Sequence, residues 1–204
     1  MAILVLDPLK EARVRRLWPG VDDDRWTEVW EGVTVMSPLA NNEHQRLAPR
    51  LSRVIGDVIE GDRLGEVIQG VNLTDRTPDW VENYRNPDVV VFLSGTAAVD
   101  HGTHYLGGPD FVVEVISPGE PPTAKFAFYA AVGTKEVLVV HRDPWRLELF
   151  ALQDGRLELG GSSDLATPAV VASAALGLTF QLVPGPARPL IAVTHPATGR
   201  AWAV

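Results

Sequence analysis

The sequence contains no cysteine. Disulfides, thiolate metal sites and a cysteine nucleophile are therefore excluded together. No apolar run approaches the roughly 18 residues that span a bilayer, so no membrane helix is expected. Residues 1–10 are apolar, but they lack a basic start and run into Glu11, Arg13, Arg15 and Arg16. This does not read as a signal peptide, and a cytoplasmic protein is the expectation. Aromatic residues make up only 7%, and the apolar content leans on Val, Leu, Ala and Ile, as in an α/β sheet protein. A basic surplus is also missing, because 18 Lys and Arg face 26 Asp and Glu, for a net charge of −8. Phosphate contacts from Lys and Arg supply most non-specific affinity for nucleic acid, so the charge counts against a general DNA-coating role. Any nucleic-acid chemistry has to rest on a local basic patch, a metal ion or an oligomer.

What is present suits one domain over residues 1–204, with a core at 26–150 and a C-terminal β extension at 151–204. Asp22-Asp23-Asp24 reads as a solvated turn. Thr27-Glu28-Val29-Trp30 and Val33-Thr34-Val35-Met36 alternate about Glu31-Gly32, a hairpin signal that Ser37-Pro38 ends. Asn41 or Asn42 can cap a helix whose apolar positions Leu47, Leu51, Val54, Ile55, Val58 and Ile59 recur at helical spacing; Pro49 is compatible with it in the first turn or two, and Gly61 stops it. A strand is expected at 65–73, a polar loop at 75–83, and apolar strands at 87–93 and 111–117. The loop between those strands carries His101 and His104, which read as solvent-facing, and Asp110 reads as a turn residue. A short helix at 125–132 follows the Pro121-Pro122 pair, with Gly133 as its C-cap. A strand at 135–141 precedes a second hairpin, 146–152 and 156–159, about Asp154-Gly155. Short strands are expected in the tail from about residue 162.

Two acids are out of place in this pattern. Glu114 sits inside Phe111-Val112-Val113-Glu114-Val115-Ile116. Strand side chains alternate, so Glu114 shares a face with Val112 and Ile116 while Phe111, Val113 and Val115 take the other. Apolar residues on both faces mark a central strand covered on both sides. A carboxylate there is costly unless it is paired, hydrogen-bonded or metal-bound. Asp88 opens the second apolar run, Asp88-Val89-Val90-Val91-Phe92-Leu93. Two such acids suit a hard cation such as Mg²⁺ or Mn²⁺, which takes oxygen ligands. On pattern alone a structural explanation does as well: Asp88 after Pro87 can be a turn former, and Glu114 can pair with a buried arginine.

The string of segments resembles a known family. Asn86-Pro87-Asp88-Val89-Val90-Val91, then Pro109-Asp110-Phe111-Val112-Val113-Glu114-Val115-Ile116-Ser117-Pro118, then Lys125, Tyr129, Gly133 and Glu136-Val137-Leu138-Val139-Val140 are similar to the Uma-type restriction endonucleases of the PD-(D/E)XK superfamily. Glu28 with Glu31-Gly32, and Ser37-Pro38 with His44, extend the likeness upstream. The resemblance implies an α/β restriction-endonuclease-like core, a mixed central sheet flanked by helices, with an N-terminal β-hairpin and a C-terminal β extension. It implies a Mg²⁺- or Mn²⁺-dependent endonuclease acting on DNA. Asp88 and Glu114 would be metal ligands with the carbonyl of Val115, and Glu28 a supporting ligand or a structural acceptor. Lys125 would orient water or stabilise charge on the phosphate, and His44 and Tyr129 would line the substrate. The simplest superfamily pattern places its lysine two residues after the second acid, where this chain has Ile116, so Lys125 in the following helix takes that part. Pro121-Pro122-Thr123 also departs from the more polar stretch of relatives. Cutting both strands of a duplex needs two sites or two visits, which makes a homodimer an expectation of the mechanism. Two other readings stand beside it: a catalytically inactive nuclease-fold interaction module, and a metal enzyme acting on another phosphate ester.

Overall fold

A computed structural model describes residues 3–5, 27–36, 41–117 and 121–204. The Asp22-Asp23-Asp24 turn and the Ser37-Pro38 break lie outside the described residues. After β1 (Ile3–Val5), the alternating segments form the hairpin β2 (Thr27–Trp30) and β3 (Val33–Met36). Its turn has positive φ at both Glu31 and Gly32, the primed geometry whose twist matches the flanking strands. Helix α1 (His44–Ile59) follows, its first N–H accepted by Asn41 Oδ1 at 2.9 Å. Pro49 falls in its second turn. Leu47, Leu51, Val54, Ile55, Val58 and Ile59 form its buried face, and each such side chain contributes about 1.5–3 kcal/mol on burial.

The strand expected at 65–73 is two. β4 (Gly65–Ile68) ends before Gly70, whose φ of +65° turns the chain, and β5 (Leu73–Thr74) joins another sheet. A 3₁₀ turn (Trp80–Glu82) leads to β6 (Tyr84–Arg85), β7 (Val89–Leu93), β8 (Val99–Asp100), β9 (Tyr105–Leu106) and β10 (Phe111–Val115). A 3₁₀ turn (Pro122–Lys125) then enters α2 (Phe126–Ala131), and Gly133 closes it at φ +83°. β11 (Glu136–Arg142), β12 (Trp145–Gln153) and β13 (Arg156–Asp164) follow, the last two joined by the expected Asp154-Gly155 turn. The tail supplies β14 (Val171–Ala172), β15 (Thr179–Val183), β16 (Leu190–His195) and β17 (Arg200–Ala203).

Among the described residues the central sheet runs β13-β12-β11-β10-β7-β4. It is mixed: β10 and β11 are parallel, joined through α2, and the other pairs are antiparallel. On one face α1 packs against Val89, Val91, Phe111, Val113, Val115, Leu138 and Val140, together with Phe180, Leu182, Ile191 and Val193 of the C-terminal sheet. On the other face Val90, Phe92, Val112, Val137 and Val139 meet Phe126, Phe128 and Tyr129 of α2 and Leu73 and Tyr105 of the N-terminal sheet. The fold is thus a mixed α/β sheet covered on both faces, as the double-sided apolar strands require.

Candidate active site

Asp88 and Glu114 meet because of strand register. β7 and β10 pair antiparallel as Val90↔Val112 and Val89↔Val113, and one further step sets Asp88 opposite Glu114. The Val115 N–H donates to Asp88 Oδ2 at 2.7 Å. On the other side of β10, the Ile116 N–H donates to Val140 O. Backbone groups of successive residues alternate in direction, so those of Val115 face Asp88.

Helix α2 is entered through Lys125 and carries Tyr129 four residues on, the spacing that puts both on one side. Both reach Glu114 Oε1, Lys125 Nζ at 3.0 Å and the Tyr129 hydroxyl through a short hydrogen bond. Lys125 Nζ also lies 2.8 Å from Glu28 Oε1. Glu28 is held by the Trp30 indole N–H (2.7 Å) and the Asn86 N–H (3.0 Å). His44, the first residue of α1, places Nε2 3.1 Å from Asp88 Oδ2. Two hydrogen-bonded groups therefore lie side by side, Glu28–Lys125–Glu114–Tyr129 and His44–Asp88–Val115 N–H, joined through the β10 backbone between Glu114 and Val115. Together they contain every side chain that the resemblance singles out. His44 Nδ1 is buried and has no partner among the described residues.

Burial dominates the electrostatics. Glu114 is 7% exposed. Desolvation pushes its carboxyl up to about 7; Lys125 pulls it down, while Asp88 and Glu28 push it up. Burial alone would lower Lys125, but Glu114 and Glu28 outweigh it and hold the ammonium well above its ordinary value. Lys125 is thus a fixed cation at neutral pH and cannot serve as a proton acceptor. Burial and Glu114 hold the Tyr129 hydroxyl well above 10, so it acts as a neutral donor.

The donor set bears on a divalent cation. Among the described residues no three His, Asp and Glu side chains stand together at metal-binding spacing. Mg²⁺, however, characteristically uses one or two carboxylates and completes its shell with water and substrate oxygens. Among the described residues, the hydrogen bonds to Asp88 fall on Oδ2 and those to Glu114 on Oε1. Each carboxylate keeps a second oxygen. Lys125 pairs with Glu28 and Glu114, whereas among the described residues Asp88 meets only His44 and the Val115 N–H, so its carboxylate has no fixed cation beside it and a hard cation would supply one. The residues fit an open two-carboxylate site, not a closed cage.

Two basic residues are not marked by the sequence pattern. Arg85 is buried between the rings of Trp30 (4.5 Å) and Phe128 (4.4 Å), and its Nη1 donates to Val29 O, Asn83 Oδ1 and Tyr84 O. Burial lowers its pKa, which Glu28 and Tyr129 partly offset. A cation three residues before Asp88 in Tyr84-Arg85-Asn86-Pro87-Asp88 is the one local signal for it. The partner of Glu114 is nevertheless Lys125, not an arginine. Arg142 donates from Nε and Nη2 to Ile116 O (3.3 and 3.1 Å) and from Nη1 to Asn41 Oδ1 (2.5 Å), tying the end of β10 to the start of α1. Two other expectations change. Asp110 is not a turn residue but a buried tie, accepting from the Leu93 N–H at 2.8 Å and lying 2.5 Å from Lys135 Nζ. His104 is not solvent-facing but buried, stacked between Trp80 and the exposed His101.

A mixed sheet covered on both faces, with Asp88 and Glu114 brought together on neighbouring strands, is the architecture of a restriction-endonuclease-like core. A family model described as "putative restriction endonuclease", Uma2, matches residues 16–182, and the chain belongs to that family. No curated protein matches it. A similar solved structure is that of a "putative nuclease belonging to DUF820" from Anabaena variabilis. It is 18% identical, with a TM-score of 0.59, over 74% of this chain and 82% of that one. At that identity the likeness establishes the fold. No helix among the described residues is long and apolar enough to cross a membrane.

Proposed function

We propose that this protein is a Mg²⁺- or Mn²⁺-dependent endonuclease that hydrolyses DNA phosphodiester bonds at the Asp88–Glu114–Lys125 centre. The observation that carries the reading is the placement of Lys125 on Glu114, with Asp88 opposite on the neighbouring strand, in a family whose model is described as "putative restriction endonuclease". Asp88, Glu114 and the Val115 carbonyl would hold the ion, with Glu28 behind Lys125. A bound divalent ion supplies a Lewis acid that polarises a phosphate oxygen and acidifies water.

The chain's own groups do the rest. Glu114 must be ionised to hold a cation, and Lys125 beside it favours that form. Lys125, a permanent cation in a buried centre, stabilises negative charge developing on the phosphate, where low dielectric magnifies the effect. Tyr129 holds the Glu114 carboxylate in place through its hydroxyl. His44 and the Val115 N–H orient Asp88. The second reading, a nuclease-fold interaction module, draws on the closed pairing of Lys125 with two acids and on the charge of −8.

The test is cleavage of supercoiled plasmid, single-stranded and branched DNA with Mg²⁺ or Mn²⁺, alongside EDTA and Glu114→Ala controls. Cutting that needs both metal and Glu114 is the expected result. A folded protein that cuts nothing and shows no Mn²⁺-dependent rise in melting temperature would overturn the reading and leave the interaction module.

A further inference from the structure

A second cluster of titratable side chains lies on the same face of the central sheet as Glu114. Across β10, β11 and β12 the register runs Glu114↔Val139↔Glu148. The next row on that face passes from Ile116 to His141, which pairs with Arg146. Neighbouring strands are about 4.8 Å apart and alternate residues about 6.7 Å, so His141 is one strand and one step from Glu114. His141 Nε2 lies 2.8 Å from Glu148 Oε2, and Arg146 Nη2 lies 2.8 Å from Glu148 Oε1. One carboxylate thus orients an imidazole and a guanidinium side by side. Their exposure separates them from the other bases at this end of the sheet. Lys125 is enclosed by two acids and Arg142 is spent on Ile116 O and Asn41. The side chains of His141 and Arg146 are 22% and 45% exposed. Arg146 has five N–H donors in all, so its pairing with Glu148 leaves others for a ligand.

We propose that His141 and Arg146, held by Glu148, form a phosphate subsite that grips the nucleic acid backbone beside the scissile position. This rests on the nuclease reading. Successive phosphates of one strand rise about 3.4 Å along the helix axis, so a strand crossing the ends of β10, β11 and β12 brings a neighbouring phosphate over this pair. A protein of net charge −8 needs such a local anchor, because its overall field repels the substrate. The two groups supply position and affinity and take no part in bond breaking.

The experiment compares the full chain with Arg146→Gln and with the double variant His141→Gln/Arg146→Gln. A labelled oligonucleotide is titrated by fluorescence anisotropy over a salt series with Ca²⁺, and cleavage is followed with Mn²⁺. The double variant is expected to raise Kd about tenfold. Its log–log salt slope should shrink by about one for each phosphate it no longer neutralises. The fall in kcat/KM should come through KM. Arg146→Gln alone, at a more exposed position, should show part of each effect at an unchanged melting temperature. Folded variants with the wild-type Kd and salt slope would overturn the subsite while leaving the nuclease reading intact, provided the wild type cuts. A wild type that neither cuts with Mn²⁺ nor binds the oligonucleotide would overturn both.

Discussion

Glu114→Gln should make the metal-free protein more stable at pH 8 while removing its response to metal. The buried carboxyl is pushed from 4.5 up to about 7, chiefly by burial, with Asp88 and Glu28 adding to it and Lys125 opposing. Tyr129 donates to the same oxygen as Lys125, and His44 lies across on Asp88. A raised carboxyl pKa means the folded state holds its proton more tightly than the unfolded chain. The stabilising contribution is therefore complete below pH 4.5 and is lost as pH rises to about 7. At about 1.4 kcal/mol per pH unit, the loss is about 3 kcal/mol. Glutamine resembles the protonated acid and carries no such penalty. For a chain of this size each kcal/mol moves the melting temperature by about 2–4 °C, so a gain of up to roughly 6–12 °C is expected at pH 8 in EDTA. By pH 5 the gap should fall to a small fraction of that. Added Mn²⁺ should raise the melting temperature of the wild type but not of the variant. Thermal unfolding at pH 5 and pH 8, with and without Mn²⁺, checks each part. A variant less stable than wild type at pH 8 in EDTA would refute the reasoning, because the Lys125 ion pair would then outweigh the cost of burial.

Lys125→Met should destabilise the metal-free protein by about 3–5 kcal/mol at pH 8, since it strands Glu28 and Glu114 as unpaired buried acids. The cost should shrink near pH 5, where Glu114 takes up a proton; urea unfolding at both values measures it. Phe180→Ala, far from the acids in sequence, should cost about 3–5 kcal/mol. Phe180 is fully buried and stacks on Phe111 at 5.9 Å, and a loss under 1 kcal/mol would show that the C-terminal sheet does not share the core.

Local pattern carried much of the fold. Two apolar strands, the face of α1, the Glu-Gly and Asp-Gly turns and the Gly133 cap depend on residues a few positions apart, so periodicity and turn chemistry expose them. The anomaly of Glu114 was legible for the same reason, since an acid with apolar neighbours on both faces breaks the pattern on its own. The break at Gly70 was not, because Leu73 and Thr74 leave β4 to pair with β6 and β9, strands later in the chain. Nor did composition show that the C-terminal sheet packs beneath α1 and the central sheet, where Phe180 and Val193 complete one core.

The sequence by itself determined which side chains are too polar for their surroundings: Asp88, Glu114 and, through family likeness, Lys125. Only the tertiary structure decided how their charges are balanced. Antiparallel register sets Asp88 across from Glu114, and the hairpin brings Glu28 to the far side of Lys125. Arg85 is committed to Trp30, Phe128 and three backbone or amide oxygens, leaving Lys125 as the partner of Glu114. In this centre charge pairing acts over a few ångströms between Glu28 and Lys125, which are 97 positions apart in the chain. No local pattern encodes that distance, and it is set when the strands pair and the helices close over them.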